Sequence, residues 1–241
     1  MVLGLHGETP ADVVALADYV DWVHVGQLKK GVRCLKAHAP DGVVFAGQIR
    51  PSRLFRGFRP DWTALRILWQ LRERNAETLF SSVADYFEEN GLHVLPSTTF
   101  MEGCLARAGA MNRVRPRRAV RRDIELGVRI AREGSRLDIG QTVVVKNGTV
   151  LAVEGFEGTD RAILRGGDLG HGRVVVVKVA KPGHDIRFDV PCIGMQTVES
   201  LKAAHARALA VHAGKTLFLR MEEVMSACDK LGISVTGIEL D

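Results

Sequence analysis

The chain has 241 residues, 46% of them hydrophobic and 25% charged, with a formal net charge of +5. These globular values exclude disordered and fibrous classes and suit one large or two modest domains with an adequate core. No apolar run approaches the roughly 18 residues of a membrane span and no signal peptide precedes the first strand-like segment, so a cytoplasmic protein is expected.

Residues 1–5 are expected as a buried strand, 10–17 as a short helix, 21–25 as a strand, 27–37 as a helix and 42–46 as a strand. Such alternation implies a parallel sheet covered by helices, a Rossmann-like α/β domain. An arginine-rich loop follows, then two helical patterns at 61–73 and 76–89, the second stopped by Gly91, and a strand at 93–95. Residues 111–122 carry arginine, proline and asparagine without periodicity and read as an interdomain connection. Helical spacing returns at 124–132. Beyond a hairpin over 138–154, strands are expected at 173–180, 185–190, 209–211, 216–219 and 233–235. Helices are expected from an N-cap at Thr197 to about 205, and over 222–231. The second half is therefore strand-rich with helices set apart, a mixed α+β domain. The boundary is placed between a domain at 1–116 and one at 117–241.

Cys34, Cys104, Cys192 and Cys228 have no paired spacing of the kind that holds zinc, and the eight histidines are dispersed. A metal acting here would be held by oxygen ligands, which favours magnesium or manganese. Arg113, Arg115, Arg117, Arg118, Arg121 and Arg122 form one basic cluster, and Arg50, Arg53, Arg56 and Arg59 form another. A solvated surface ranks first for these, an anionic lipid or phosphate surface second. Nucleic acid is not expected as a partner, because aromatic interleaving and a recognisable nucleic-acid module are both missing.

The hairpin carries the most chemistry. Asn147-Gly148 suits a type I′ turn, setting Lys146 against Thr149, Val145 against Val150, Val143 against Ala152 and Gln141 against Glu154. Polar groups thus collect at the mouth of an apolar ladder, with Glu157, Thr159 and Asp160 following. In the strand expected at 185–190, Asp185, Arg187 and Asp189 share one face. Lys178 and Lys181 lie just upstream in a valine-rich strand, where a lysine needs an anionic partner. Cations that clamp a phosphate and carboxylates that hold a metal or orient water are the equipment of phosphoryl-group chemistry. No Ser-His or Cys-His arrangement supports nucleophilic catalysis. In the first domain, the strand expected to end at Ala46 runs into Gly47-Gln48, where α/β sheets bind ligands. Glu77 near a helix start reads first as a charge complementing the dipole.

The segments AGQI at 46–49, RNAET at 74–78, SRLDIGQTVVVKNGTVLAVEGFEGTD at 135–160, VKVAKP at 177–182 and DIRFDVPCIG at 185–194 together resemble the UDP-2,3-diacylglucosamine pyrophosphatase family of lipid A biosynthesis, the type lacking a metallophosphoesterase fold. The resemblance covers almost the whole chain. It implies hydrolysis of UDP-2,3-diacylglucosamine to UMP and 2,3-diacylglucosamine 1-phosphate with Mg2+, the ligand lying between an α/β domain and a distinct C-terminal domain. It also implies that Asp189 is the essential catalytic aspartate. Asp138, Thr159 and Lys178 then match positions holding the sugar phosphate or diphosphate, joined by Gln141 from the hairpin mouth. Ala46, Gly47, Gln48 and Glu77 match the N-terminal side of the ligand cleft. The metal ligands, a homo-oligomeric state and peripheral contact with the inner-membrane surface stay open. Family chains begin with a further strand and glycine-rich loop, and residues 1–5 resemble their second strand, so the first strand of the Rossmann-like domain is expected to be lacking. The alternative from another class is a non-catalytic binding protein for a nucleotide-linked or phosphorylated glycolipid.

Overall fold

The computed structural model describes residues 1–47, 59–71, 76–183 and 185–240, excepting the side chains at 76 and 77. It forms two compact units, Met1–Thr99 with Asp185–Asp189, and Phe100–His184 with Val190–Asp241.

The first unit contains β1 (Val2–Leu5), α1 (Ala11–Val14), β2 (Val20–Val23), α2 (Leu28–Ala37), β3 (Val43–Val44), α3 (Trp62–Gln70), α4 (Ala76–Glu89) and β4 (Val94–Leu95). Both strand pairs, β1 with β2 and β3 with β4, are parallel, as strand-helix alternation requires. Val32 and Leu35 of α2 pack with Ala84 and Phe87 of α4 and with Leu92 and Val94 to form the core. The helix expected over 10–17 shortens to four residues because α1 buries none of its side chains, leaving no packing to sustain a longer one.

The second unit contains β5 (Gly109–Ala110), α5 (Arg118–Arg136), β6 (Thr142–Lys146), β7 (Thr149–Val153), α6 (Thr159–Gly170), β8 (Val175–Lys178), β9 (Cys192–Ile193), α7 (Met195–Ala203), β10 (Ala208–His212), β11 (Leu217–Phe218), α8 (Met221–Leu231) and β12 (Ser234–Ile238). Its main sheet has six strands in the order β5-β12-β10-β8-β6-β7. The centre is parallel, while β6 runs antiparallel to β8 and β5 antiparallel to β12. Alternation assigns the faces. Val143, Val145, Val175 and Val177 pack under α5, whereas Val144, Val176, Leu209 and Val235 pack with residues of α6, α7 and α8.

Several expectations change. Residues 100–116, placed in the first domain by sequence, pack in the second unit: β5 extends the sheet, Ala106 enters its core, and the Asn112 side chain bonds Ile233 O and Val235 N. The aperiodic arginine segment is not all connection, because α5 starts at Arg118 and its buried stripe begins at Val120. Residue 194 rather than Thr197 caps α7: Gly194 is extended and Thr197 is buried within the helix. The hairpin turn forms at Asn147-Gly148, whose two amides donate to the buried Asp123 carboxylate at 2.8 and 2.7 Å. Past Val145, however, a bulge makes Leu151 the extra residue, so Val144 faces Ala152 and Val143 faces Val153. Glu154 N then donates to Thr142 O, and the expected pairing of Gln141 with Glu154 does not occur.

Helix α6 escaped the periodicity reading because Gly166, Gly167 and Gly170 interrupt it. These glycines are contact surfaces: a Cβ would stand 2.5 Å from Val144 Cγ1 at Gly166 and 2.6 Å from Ala204 Cα at Gly167. Backbone cannot rotate aside, so Gly167→Ala is expected to lower stability by about 1–3 kcal/mol despite the better helix propensity of alanine. Gly134→Ala in α5 meets only ordinary contacts of 3.6 Å or more and serves as the control. Thermal denaturation of both variants checks this, with a lowered midpoint expected for Gly167→Ala alone.

Candidate functional site

Two groups of candidate residues form, one in each unit. In the second unit, antiparallel pairing brings the start of β6, the end of β7 and the end of β8 to one edge of the sheet, and α6 begins there. This edge lies beyond the carboxyl ends of the parallel strands, where α/β proteins collect ligand groups. Thr142, fully buried, faces Lys178 across the ladder. The Lys178 ammonium donates to Thr159 Oγ1 at 2.7 Å, and the Thr159 hydroxyl donates to Glu154 Oε1 at 2.9 Å. Thr142 Oγ1 stands 3.4 Å from Thr159 Oγ1. An ammonium has three donors and Thr159 takes one, so this cation is oriented at the positive end of a twelve-residue helix. Cation, hydroxyl and helix N-terminus together suit a phosphate.

Around this cluster, Asp138 pairs with Lys181 at 3.0 Å. Asp138 also closes α5 with a left-handed φ of 57°, its amide donating to Ser135 O, so it has a structural duty as well. Gln141 accepts from Val179 N through its carbonyl. The Glu157 carboxylate receives Arg165, which holds its pKa below the ordinary glutamate value, and also accepts from Gly155 N at 3.0 Å. Gly140 is required by proximity, since a Cβ would lie 2.1 Å from Glu154 O. Lys146 lies at the turn end of β6, away from this cluster, and donates to Gly170 O.

In the first unit, residues 185–189 form a turn and not the strand expected from their alternation. The reason is local: Asp185 accepts from Arg187 N at 3.0 Å, while Phe188 N and Asp189 N both donate to Asp185 O. Arg187 is gathered by three carboxylates, Asp185 at 2.6 Å, Asp85 at 2.8 Å and Glu88 at 3.1 Å. This pairing raises the Arg187 pKa and holds that of Asp185 below the ordinary aspartate value. The Asp185 contribution is therefore present above its unfolded pKa and is lost as pH falls through the depressed folded value. Phe188 packs on Phe80 of α4, with ring centroids 5.7 Å apart. Ser97 completes the attachment: its amide donates to Ile186 O, and its hydroxyl reaches Phe45 O at 2.8 Å and Arg187 O at 2.6 Å.

The turn that ends in Asp189 is thus tied to the carboxyl end of the β3-β4 pair, where exposed Ala46 and Gly47 follow β3. Gly47 has a φ of +92° with open space around its Cβ position, so conformation and not crowding demands glycine. Gln48 lies outside the described residues, and so does the Glu77 side chain. Asp189 belongs to one unit and the Thr159–Lys178 pair to the other. Sequence reasoning missed Thr142 as a cluster member.

Among the described residues no three His, Cys, Asp or Glu side chains gather as a metal cage. Magnesium often uses only one or two carboxylates, completing its shell with phosphate and water. Glu154 Oε2 and Asp160 Oδ1, two buried carboxylate oxygens without a hydrogen bond near the start of α6, fit that mode.

A mixed α/β chain with a lysine, a hydroxyl and carboxylates at one sheet edge belongs to the class of proteins equipped for phosphorylated ligands. Residues 1–104 match the LpxI N-terminal domain and residues 107–236 the LpxI C-terminal domain. The UDP-2,3-diacylglucosamine pyrophosphatase LpxI of Caulobacter vibrioides is 34% identical over 229 residues, spanning 90% of this chain and 81% of the relative. The chain belongs to the LpxI family.

Proposed function

We propose that this protein hydrolyses the diphosphate of UDP-2,3-diacylglucosamine to UMP and 2,3-diacylglucosamine 1-phosphate, a step of lipid A biosynthesis, at the cytoplasmic side of the inner membrane. The carrying observation is the Lys178–Thr159–Glu154 relay at the start of α6, a cation and hydroxyl oriented for phosphate in a chain of this family.

In this reading Lys178 and Thr159 hold the diphosphate, assisted by Asp138 and Gln141 at the same edge. Ala46, Gly47, Gln48 and Glu77 serve the nucleotide-sugar from the first unit. Asp189 orients a water and accepts its proton as the water oxygen bonds to the sugar-side phosphorus. The bond from that phosphorus to the bridging oxygen breaks, and UMP leaves with the bridging oxygen. Mg2+ would be held by Glu154 and Asp160 together with substrate phosphates, and would supply neutralisation of phosphate charge.

The test is product analysis with UDP-2,3-diacylglucosamine, with added magnesium and with a chelator. Equimolar UMP and lipid phosphate that disappear on chelation are expected. Tight binding without UMP under either condition would favour a non-catalytic glycolipid-binding protein.

A further inference from the structure

Helix α3 displays an unusual outer face. At about 100° per residue, positions 62, 66 and 69 fall on one side of a helix. Ala64, Ile67 and Leu68 turn toward the unit, but Trp62 and Trp69 stand 73% and 70% exposed, with exposed Arg66 between them. The two indoles meet edge to face, 6.0 Å between centroids, so they form one patch. Large aromatic patches left in water mark interaction surfaces.

Among the described residues, exposed basic side chains flank the patch. Arg59 precedes α3 and is exposed, as are Lys29 and Arg33 of α2, the helix whose start meets the start of α3. The nearby carboxylate, Asp61, is occupied: one oxygen accepts from Ala64 N at 2.9 Å as the helix cap, the other from Lys29 N at 2.7 Å. Tryptophan favours the headgroup level of a bilayer, where an amphipathic ring has an apolar side and a wet edge, and basic side chains nearby favour anionic lipid. We propose that Trp62, Arg66 and Trp69 form a docking face for a bilayer surface carrying anionic headgroups. The proposal rests on the exposure and charge of α3 and stands apart from the hydrolytic reading. Under that reading, it brings the enzyme to the interface where a diacylated substrate resides.

The test uses the full chain with vesicles of equal parts phosphatidylcholine and phosphatidylglycerol, and with vesicles of phosphatidylcholine alone, without substrate. Expected are co-sedimentation with the anionic vesicles at low salt and quenching of tryptophan emission by lipids brominated on their acyl chains. Trp22, stacked on His6, provides the background emission. The Trp62→Ala/Trp69→Ala variant should lose the quenching and bind at least about tenfold more weakly, two buried indoles being removed. Arg66→Glu should keep the indoles yet weaken binding to anionic vesicles severalfold. An unchanged melting temperature confirms that each variant is folded. No vesicle binding by the parent chain, or binding insensitive to the double substitution, overturns the proposal. A concentration-dependent dimer that the double substitution dissolves, without vesicle binding, would also overturn it and assign the face to a second copy.

Discussion

Asp189→Asn is expected to lower kcat by about three orders of magnitude, the middle of the range for loss of a positioned general base. Residues 185–188 should still hold their turn. That turn is held by Arg187 with Asp85, Glu88 and Asp185, by Phe188 against Phe80, and by Ser97. Substrate binding and the melting temperature should change little while UMP release collapses. Activity within a few fold of the parent would remove Asp189 from the reaction.

The second large effect is at Lys178. Lys178→Met keeps the length of the side chain but removes the ammonium that donates to Thr159 and faces the start of α6. Loss of one preorganised electrostatic group at a phosphate costs about 10²–10³ in rate, so kcat/KM should fall by that order. The apolar residues Val175–Val177 of the same strand remain in the core, so the fold should persist. Steady-state kinetics with a melting curve checks both halves. An unaltered kcat/KM would mean that Lys178 serves only to pair β8 with the β6-α6 corner.

How legible these groups were in sequence depended on whether local or distant contacts shaped them. The hairpin turn was readable because Asn147-Gly148 adopts φ values of 50° and 76° on its own account. Its register was not, since the bulge at Leu151 lets the far end of β7 follow β6. Residues 185–190 alternate as a strand would, yet Asp185 captures the amide and guanidinium of Arg187 and bends the chain. Helix α6 was hidden by glycines that only its packing on Val144 and Ala204 explains. Thr159 and Lys178 could be named by motif, but their 2.7 Å pairing depends on the antiparallel placement of β6 beside β8.

The most direct measurement of the central claim is hydrolysis in ¹⁸O-enriched water followed by mass analysis of both products. Attack at the sugar-side phosphorus, with Lys178 and Thr159 on the diphosphate and Asp189 on the water, predicts label in 2,3-diacylglucosamine 1-phosphate and none in UMP. Label in UMP, or no labelled product at all, would contradict it.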